Sequence, residues 1–321
     1  MKKRILILPL LVFIAWGLGS GFIARKVISI KKPYRPLMAS TMPDYQKKDA
    51  WISRPDFFNP SLWPLNEHKV QSDLKIDVFY IHPTALWIGN SWNYDLKSPG
   101  IVFIHGLNSD MSGQKALSVE KYARKNKLRF IRFECRGHGK SSGKFEDFTI
   151  SDWKKDLIDV IDNIAKGPQI LVGSSMGGWL MFLAAKARSS RVAGMVGLAA
   201  APDYIEGFYN DLSNKKKEEL NKKGFIKYSS YGFSYIVKKK YIIDGRKNKI
   251  LNKEFKWNKP LILIHGLKDN VVKPNMPKKI VKKVKGNQIQ IKLLKNSDHR
   301  LSEPFDLKVI NESISSAIRK N

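Results

Sequence analysis

Two adjacent serines follow an apolar run and stand between glycines, in the stretch GSSMG at residues 173–177. The Gly-x-Ser-x-Gly spacing selects Ser175 and is typical of a sharp turn from a strand into a helix, which exposes the serine hydroxyl above a sheet. Glycines on both sides permit such a turn because they have no Cβ to collide with nearby chain. We therefore interpret Ser175 as a nucleophile. A glycine-rich turn that only packs closely is the alternative interpretation.

A serine hydroxyl needs a base to become a nucleophile, and the base needs an acid that orients it. The stretch "LILIHGLKDNVV" puts Asp269 after one predicted strand, and "LLKNSDHRLS" puts His299 after the next. The order Ser, Asp, His, with each residue after the end of a strand, is the order found in α/β-hydrolases. We predict that His299 is the base and Asp269 the acid, with Asp298 as the alternative acid.

An acyl-transfer site also needs N–H groups that bind the oxyanion of the tetrahedral intermediate. We expect the first from Met176, next to the nucleophile, and the second from Leu107, in the loop after "IVFIHGLNS". Gly106 has no side chain to block the approach of this loop to Ser175. We expect His105 to cap the end of its strand and to transfer no proton.

Other short motifs favour structural roles. The stretch "RGHGKSSG" at residues 136–143 is interpreted as a structural turn, because it lacks the spacing of a phosphate-binding loop. The chain has no His-Glu-x-x-His motif, and its one cysteine, Cys135, excludes an intrachain disulfide and a thiolate metal cluster. We therefore expect neither a metal nor a cofactor.

The elements that must position these residues alternate between short β-branched runs and amphipathic stretches from Pro99 onward, which indicates βαβ units and a mostly parallel sheet. One helix begins at a Thr149 or Ser151 cap, and another follows the nucleophile from about Gly178. The predicted strands cover residues 101–104, 128–133, 170–172, 192–198, 261–264 and 289–294.

The regular alternation stops over residues 202–259, which form a basic insertion rich in aromatic residues. Long insertions in compact domains are usually lids or binding loops, so we predict a cap over the active site. The aromatic side chains could line a substrate tunnel or pack a small subdomain. They are Tyr204, Phe208, Tyr209, Phe225, Tyr228, Tyr231, Phe233 and Tyr235.

An apolar run over residues 5–24 stands between basic clusters at residues 2–4 and 25–26. We interpret residues 1–30 as a single-pass membrane anchor, expected in a bacterial inner membrane, with a cleaved signal peptide as the alternative. Basic residues on both sides leave its orientation open. Residues 31–97 are predicted to be an irregular linker with one strand in "KIDVFYIHP", and the catalytic domain spans residues 98–321.

The net charge of +30 comes from 58 Lys and Arg residues against 28 Asp and Glu residues. Such a charge can indicate binding to nucleic acid or to an anionic membrane. Here the lysines are spread along the whole chain, and no nucleic-acid-binding motif accompanies them. We therefore expect no nucleic-acid partner.

From about residue 98 to its end, the chain resembles the α/β-hydrolase subgroup that includes mitochondrial palmitoyl-protein thioesterase and acyl-glucuronide esterase. The shared stretches are "SPGIVFIHG", "GPQILVGSSMGGWLM", "HGLKDNVV" and "SDHR". The resemblance implies an α/β-hydrolase fold with a cap, and hydrolysis of acyl esters or thioesters by Ser175, Asp269 and His299.

The N-terminal part resembles a different group. The stretches "DAWISRPDFFNP" and "IDVFYIHPTALWIGNSWN" are similar to the start of an uncharacterised bacterial lipase-like α/β-hydrolase family. We hypothesise a fused or deleted gene product whose N-terminal fragment is dispensable. Alternatively, its strand replaces a sheet edge that the catalytic domain lacks.

These residues together predict a serine hydrolase that cleaves carboxylic esters or thioesters through an acyl-enzyme. A catalytically inactive, membrane-tethered binding protein of the same fold is the alternative from another class. A peptidase or a carbon–carbon hydrolase is also compatible, because fold and triad do not fix the substrate.

Overall fold

The computed structural model of the chain describes residues 78–81, 98–230 and 233–320. In chain order the strands of this part are β1 (Val78–Ile81), β2 (Gly100–Ile104), β3 (Phe130–Phe133), β4 (Gln169–Ser174), β5 (Val192–Leu198), β6 (Phe225–Ser230), β7 (Phe233–Lys238), β8 (Phe255–Lys256), β9 (Leu261–Gly266), β10 (Val284–Lys285) and β11 (Ile289–Leu294). Its helices are α1 (Gln114–Lys125), α2 (Ile150–Asp159), α3 (Met176–Ala187), α4 (Ile205–Asn210), α5 (Asn214–Lys223), α6 (Lys239–Lys247), α7 (Met276–Lys283) and α8 (Pro304–Arg319).

Seven of these strands form one sheet in the order β1-β3-β2-β4-β5-β9-β11. Every pair in this sheet is parallel except β1 and β3, which are antiparallel. The carboxyl ends of the parallel strands therefore lie along one edge of the sheet, where sites of open α/β sheets form. The loops after β2, β4, β9 and β11 all leave from this edge.

Helices cover both faces of the sheet, as the alternation of side chains along β2 illustrates. Val102 and Ile104 belong to one buried apolar cluster, which they share with α2 and α3. Ile101 and Phe103 belong to the other, which they share with α1 and α8. Because successive side chains of a strand point to opposite faces, a strand that is apolar at every position requires cover on both sides. The predicted α/β architecture, a mostly parallel sheet flanked by helices, is confirmed.

All six predicted strands are present, two of them with the predicted bounds, 192–198 and 289–294. The strand predicted from residue 128 begins at Phe130 instead, because the preceding residues end α1: Lys127 has a φ of 55°, and the Leu128 N–H donates to the Ala123 carbonyl at 2.9 Å. The helix predicted from about Gly178 begins at Met176, directly after the nucleophile candidate.

Thr149 and Ser151 were alternative caps for α2, and the helix begins at Ile150 with Thr149 as its N-cap. The Thr149 N–H donates to the Asp152 carboxylate at 2.9 Å. Ser151 has another role: its hydroxyl and its N–H donate to Asp244 of α6 at 2.6 and 2.8 Å. The start of α2 is therefore tied to the 202–259 insertion.

The insertion at residues 202–259 contains α4, α5, the antiparallel hairpin of β6 and β7, α6 and β8. The sequence pattern does not predict this hairpin. Several aromatic side chains of the insertion pack against other rings: the ring centroids of Tyr228 and Phe208 lie 4.9 Å apart, and those of Tyr235 and Phe145 lie 5.4 Å apart. These contacts favour packing of a small subdomain; Tyr231 lies outside the described residues.

None of the described helices is long and apolar enough to cross a bilayer. The anchor predicted over residues 5–24 lies outside the described residues, as does most of the predicted linker. Within that linker, β1 forms the edge of the main sheet beside β3.

Candidate active site

The turn around Ser175 joins β4 to α3 with a backbone conformation that L-residues rarely adopt, φ 53° and ψ −115°. Conformations of this kind cost about 1–3 kcal/mol and persist only where the surroundings enforce them. Here the Ser175 N–H donates to the Leu198 carbonyl at 2.9 Å. The chain after the serine also packs closely, since a Cβ on Gly177 would collide with the carbonyl oxygens of Ile104 and His105. The predicted strand–turn–helix context around Ser175 is present.

The imidazole of His299 lies between Ser175 and Asp269. Its Nε2 is 3.1 Å from the Ser175 Oγ, and its Nδ1 is 2.8 Å from Oδ2 of Asp269. The Asp269 side chain is fully buried, whereas 21% of the His299 side chain is exposed. Asp298, the alternative acid, accepts from the N–H of Arg300 at 2.8 Å. The fold thus brings the three predicted triad residues together in one hydrogen-bonded chain.

Asp269 accepts three further hydrogen bonds. The N–H groups of Val271 and Val272 donate to Oδ1 at 2.9 and 2.8 Å, and Nε2 of His265 is 3.1 Å from Oδ2. Burial by itself would raise the pKa of Asp269, but the hydrogen bonds from His265 and His299 outweigh it and hold that pKa well below its ordinary value. Asp269 is therefore ionised at neutral pH.

His265 is the residue of this site to which the sequence analysis gave no role. It is the histidine of "LIHGLKD", four residues before Asp269, and its side chain is 1% exposed. Its Nε2 also lies 2.9 Å from the Val272 carbonyl. The only signal in the sequence is a histidine at the end of a strand next to the predicted acid.

The loop after β2 approaches Ser175 as expected. A Cβ on Gly106 would lie 3.3 Å from the Cβ of Ser175, which is tighter than ordinary contact. His105 is buried, its Nδ1 donates to the Gly106 carbonyl at 2.8 Å, and its Nε2 accepts from the Cys135 N–H at 3.0 Å. Burial lowers the pKa of His105, so the ring is neutral. His105 fixes the end of β2, and Leu107, one residue after Gly106, stays the candidate for the second oxyanion donor.

The turn at residues 136–143 is held by a buried ion pair. Nε of Arg136 lies 2.7 Å from Oδ1 of Asp156, and the Gly137 N–H donates to the Ser142 carbonyl at 2.9 Å. Burial raises the pKa of Asp156 to about 6, in spite of its contacts with Arg136. These contacts agree with the interpretation of the segment as a structural turn.

Comparisons with known proteins match this chain to hydrolases. Residues 101–224 match the family described as the alpha/beta hydrolase family. Over 228 residues the chain is 39% identical to the mitochondrial palmitoyl-protein thioesterase ABHD10 of Bos taurus and 38% identical to that of Homo sapiens, which covers 70% of this chain and 74% of each relative. The solved structure of alpha/beta hydrolase domain-containing protein 10 from mouse superimposes with a TM-score of 0.65 at 34% identity, over 70% of this chain and 91% of that one.

Proposed function

The chain belongs to the α/β-hydrolase family, and from this premise we propose that it hydrolyses acyl esters or thioesters with Ser175, His299 and Asp269 as its catalytic triad. The observation that carries the proposal is the position of the His299 imidazole, within hydrogen-bonding distance of both the Ser175 hydroxyl and the Asp269 carboxylate. A base between a serine and a buried carboxylate is the arrangement that activates a serine for attack on an acyl carbonyl.

The first half of the reaction forms the acyl-enzyme. Nε2 of His299 takes the proton of the Ser175 hydroxyl as Oγ attacks the acyl carbon, and the N–H groups of Met176 and Leu107 bind the resulting oxyanion. The bond to the leaving group then breaks, and His299 returns the proton to the departing alcohol or thiol. Asp269 keeps a proton on Nδ1 of His299 and stabilises the His299 imidazolium during both proton transfers.

The second half releases the acid. A water molecule gives a proton to Nε2 of His299 and attacks the acyl carbon, the same N–H groups bind the second oxyanion, and the bond to Oγ of Ser175 breaks as the proton returns to it. No metal or cofactor takes part in these steps. The products are a carboxylic acid and the free serine.

We include acyl thioesters of proteins among the substrates because the relatives from Bos taurus and Homo sapiens are named as palmitoyl-protein thioesterases. A thioester suits the same residues, since a thiol is a better leaving group than an alcohol and needs less help from His299. The preferred acyl chain is measured by comparing the butyryl and palmitoyl esters of one alcohol, and the butyryl and palmitoyl thioesters of one thiol.

The test uses the full chain and a fluorophosphonate probe, which labels only an activated serine. Labelling is expected in the wild-type protein and in Ser174→Ala, a control that removes the neighbouring hydroxyl, and its loss is expected in Ser175→Ala. Hydrolysis of p-nitrophenyl butyrate and of a palmitoyl thioester should follow the labelling. Undiminished labelling of Ser175→Ala would refute the nucleophile, and a wild-type protein that is not labelled would support the inactive binding protein instead.

We also propose that residues 1–30 hold the protein at a membrane, on the strength of the apolar run between basic clusters. The full chain should stay with membranes during extraction with alkaline carbonate, and a variant that lacks residues 1–30 should not. Release of both proteins would contradict the anchor without affecting the proposed activity.

A further inference from the structure

A cavity of about 270 Å³ lies beside the turn that holds the second oxyanion donor, and the triad contacts do not use it. Three segments line it: residues 108–110 after β2, residues 137–139 after β3, and Ser234 with Tyr235 of β7. Leu107 directly precedes the first segment. Pockets for drug-sized ligands span about 300–1,000 Å³, so this cavity suits a small group.

One carboxylate lines this cavity, and a second lies against one of its lining residues. Asp110 belongs to the lining. Glu134, only 3% exposed, lies against Gly139, where an added Cβ would collide with the Glu134 carboxylate. Among the described residues, neither carboxylate has a Lys, Arg or His nitrogen within 4.0 Å. In a chain with 58 Lys and Arg residues against 28 Asp and Glu residues, the Asp110 carboxylate in the lining and the Glu134 carboxylate beside Gly139 leave a negative site that an external cation can occupy.

Hydrogen bonds from the chain use only some of the acceptor positions of these two carboxylates. The hydroxyl and the N–H of Ser112 donate to Oδ1 of Asp110 at 2.6 and 2.7 Å. The Ser112 hydroxyl lowers the pKa of Asp110, which is therefore ionised at neutral pH. Glu134 accepts from the N–H groups of Lys140 and Met111 at 2.6 and 3.4 Å.

His138 adds a buried acceptor to the lining of the cavity. Its side chain is 3% exposed, and its Nδ1 lies 3.3 Å from the Arg136 carbonyl, to which it donates. Burial lowers the pKa of His138 to about 3, so the ring is neutral and its Nε2 carries a lone pair. That Nε2 is buried and has no partner among the described residues. Because unpaired buried acceptors are costly and rare, an N–H group of a ligand at this position would satisfy it.

We propose that this cavity binds a primary ammonium group carried by the alcohol or thiol part of the substrate, an inference that rests on the proposed function. An ammonium group supplies a positive charge for Asp110 and Glu134 and an N–H for His138. A hydrocarbon acyl chain fits poorly, because it would cover polar groups without pairing them. An anionic leaving group would be repelled by the two carboxylates.

The first test compares two esters on the full chain, 5-aminopentyl butyrate and hexyl butyrate. They share the acyl group and the length of the leaving chain, so the ratio of their kcat/KM values reports the ammonium group alone. We expect a ratio of about 10 in favour of the amino ester, and its near-complete loss in Asp110→Asn. Asp211→Asn is the matched control, since it removes the same charge from an exposed residue outside the lining and should keep the wild-type ratio.

A wild-type ratio near 1 would overturn the proposal. An equal loss of the ratio in Asp110→Asn and Asp211→Asn would also overturn it, because the effect would then come from the net charge and not from the cavity. If neither ester is hydrolysed and the fluorophosphonate leaves Ser175 unlabelled, the proposed function has failed. A measurement of binding then tests whether the cavity takes an ammonium group.

That measurement uses Ser175→Ala, labelled with ¹⁵N-histidine, and pentylammonium as the probe. A hydrogen bond from the ammonium group should shift the Nε2 resonance of His138 in a saturable manner, whereas pentanol at the same concentrations should shift it far less. No shift with pentylammonium, or an equal shift with pentanol, would refute ammonium binding whether or not the protein is an esterase.

Discussion

Nε2 of His265 lies 3.1 Å from Oδ2 of Asp269, the same oxygen that faces Nδ1 of His299 at 2.8 Å. Two histidines therefore share one carboxylate oxygen, while the N–H groups of Val271 and Val272 hold the other. His265 and Asp269 have almost no exposed side-chain surface. A carboxylate whose two oxygens both accept hydrogen bonds cannot rotate away from the His299 imidazole. We therefore infer that His265 positions the acid of the proposed triad.

Replacing His265 tests this positioning role. Loss of a hydrogen bond to a charged group costs about 1.5–3 kcal/mol, so His265→Leu should lower kcat about 10- to 100-fold with little change in KM. His265→Gln keeps an N–H donor and should recover much of that loss. Steady-state kinetics of the two variants with one ester are the measurement, and equal losses in both would reduce His265 to a packing role.

Matched substitutions of Asp269 and Asp298 test which of the two carboxylates is the acid of the triad. Asp269→Asn would leave the imidazole in the wrong tautomer and should lower kcat about 10³- to 10⁴-fold. Asp298→Asn should stay within about threefold of the wild type, since Asp298 accepts from the Arg300 N–H and not from His299. A large loss in Asp298→Asn with a small one in Asp269→Asn would reverse the assignment.

The sequence predicts that Ser175, His299 and Asp269 lie close together, because each follows a strand with a clear apolar run and the carboxyl ends of these strands meet at one sheet edge. His265 and His138 could not be recognised in the same way. Their significance lies in their positions, His265 at the Asp269 carboxylate and His138 in the lining of the cavity beside residues 108–110, and these positions depend on how the loops fold in three dimensions.

The hairpin of β6 and β7 was missed for a local reason. The strands are separated by Tyr-Gly at residues 231–232, which lacks the Asn-Gly or Asp-Gly signature of a tight hairpin, and serines interrupt the alternation of apolar residues. The helix α3 begins at Met176, two residues before the predicted start near Gly178, although Gly177 and Gly178 are poor helix formers. Close packing requires glycine there and overrides that preference, since a Cβ at either position would collide with neighbouring backbone.

Asp156 should make stability depend on pH between about 4 and 6. Its pKa is about 6 in the folded protein, above the ordinary value of 3.8 for an aspartate, so the folded state holds the proton more tightly and stability falls as pH rises through this interval. This difference in pKa corresponds to about 3 kcal/mol of pH-dependent stability, which should disappear in Asp156→Asn. Urea unfolding of both proteins at pH 4 and pH 7 measures the difference, and parallel pH profiles would contradict the shift.

The strand β1 should stabilise the catalytic domain, although it belongs to the segment predicted as a linker. It pairs with β3 from Val78 opposite Phe133 to Ile81 opposite Phe130 and so occupies that edge of the sheet. A chain that lacks residues 1–97 exposes the β3 edge, whereas a control that lacks only residues 1–70 keeps the pairing. The longer deletion should unfold at lower urea, with a loss of about 2 kcal/mol, and should self-associate through the exposed edge. Equal stability of the two truncated chains would instead support the hypothesis that residues 31–97 are a dispensable remnant.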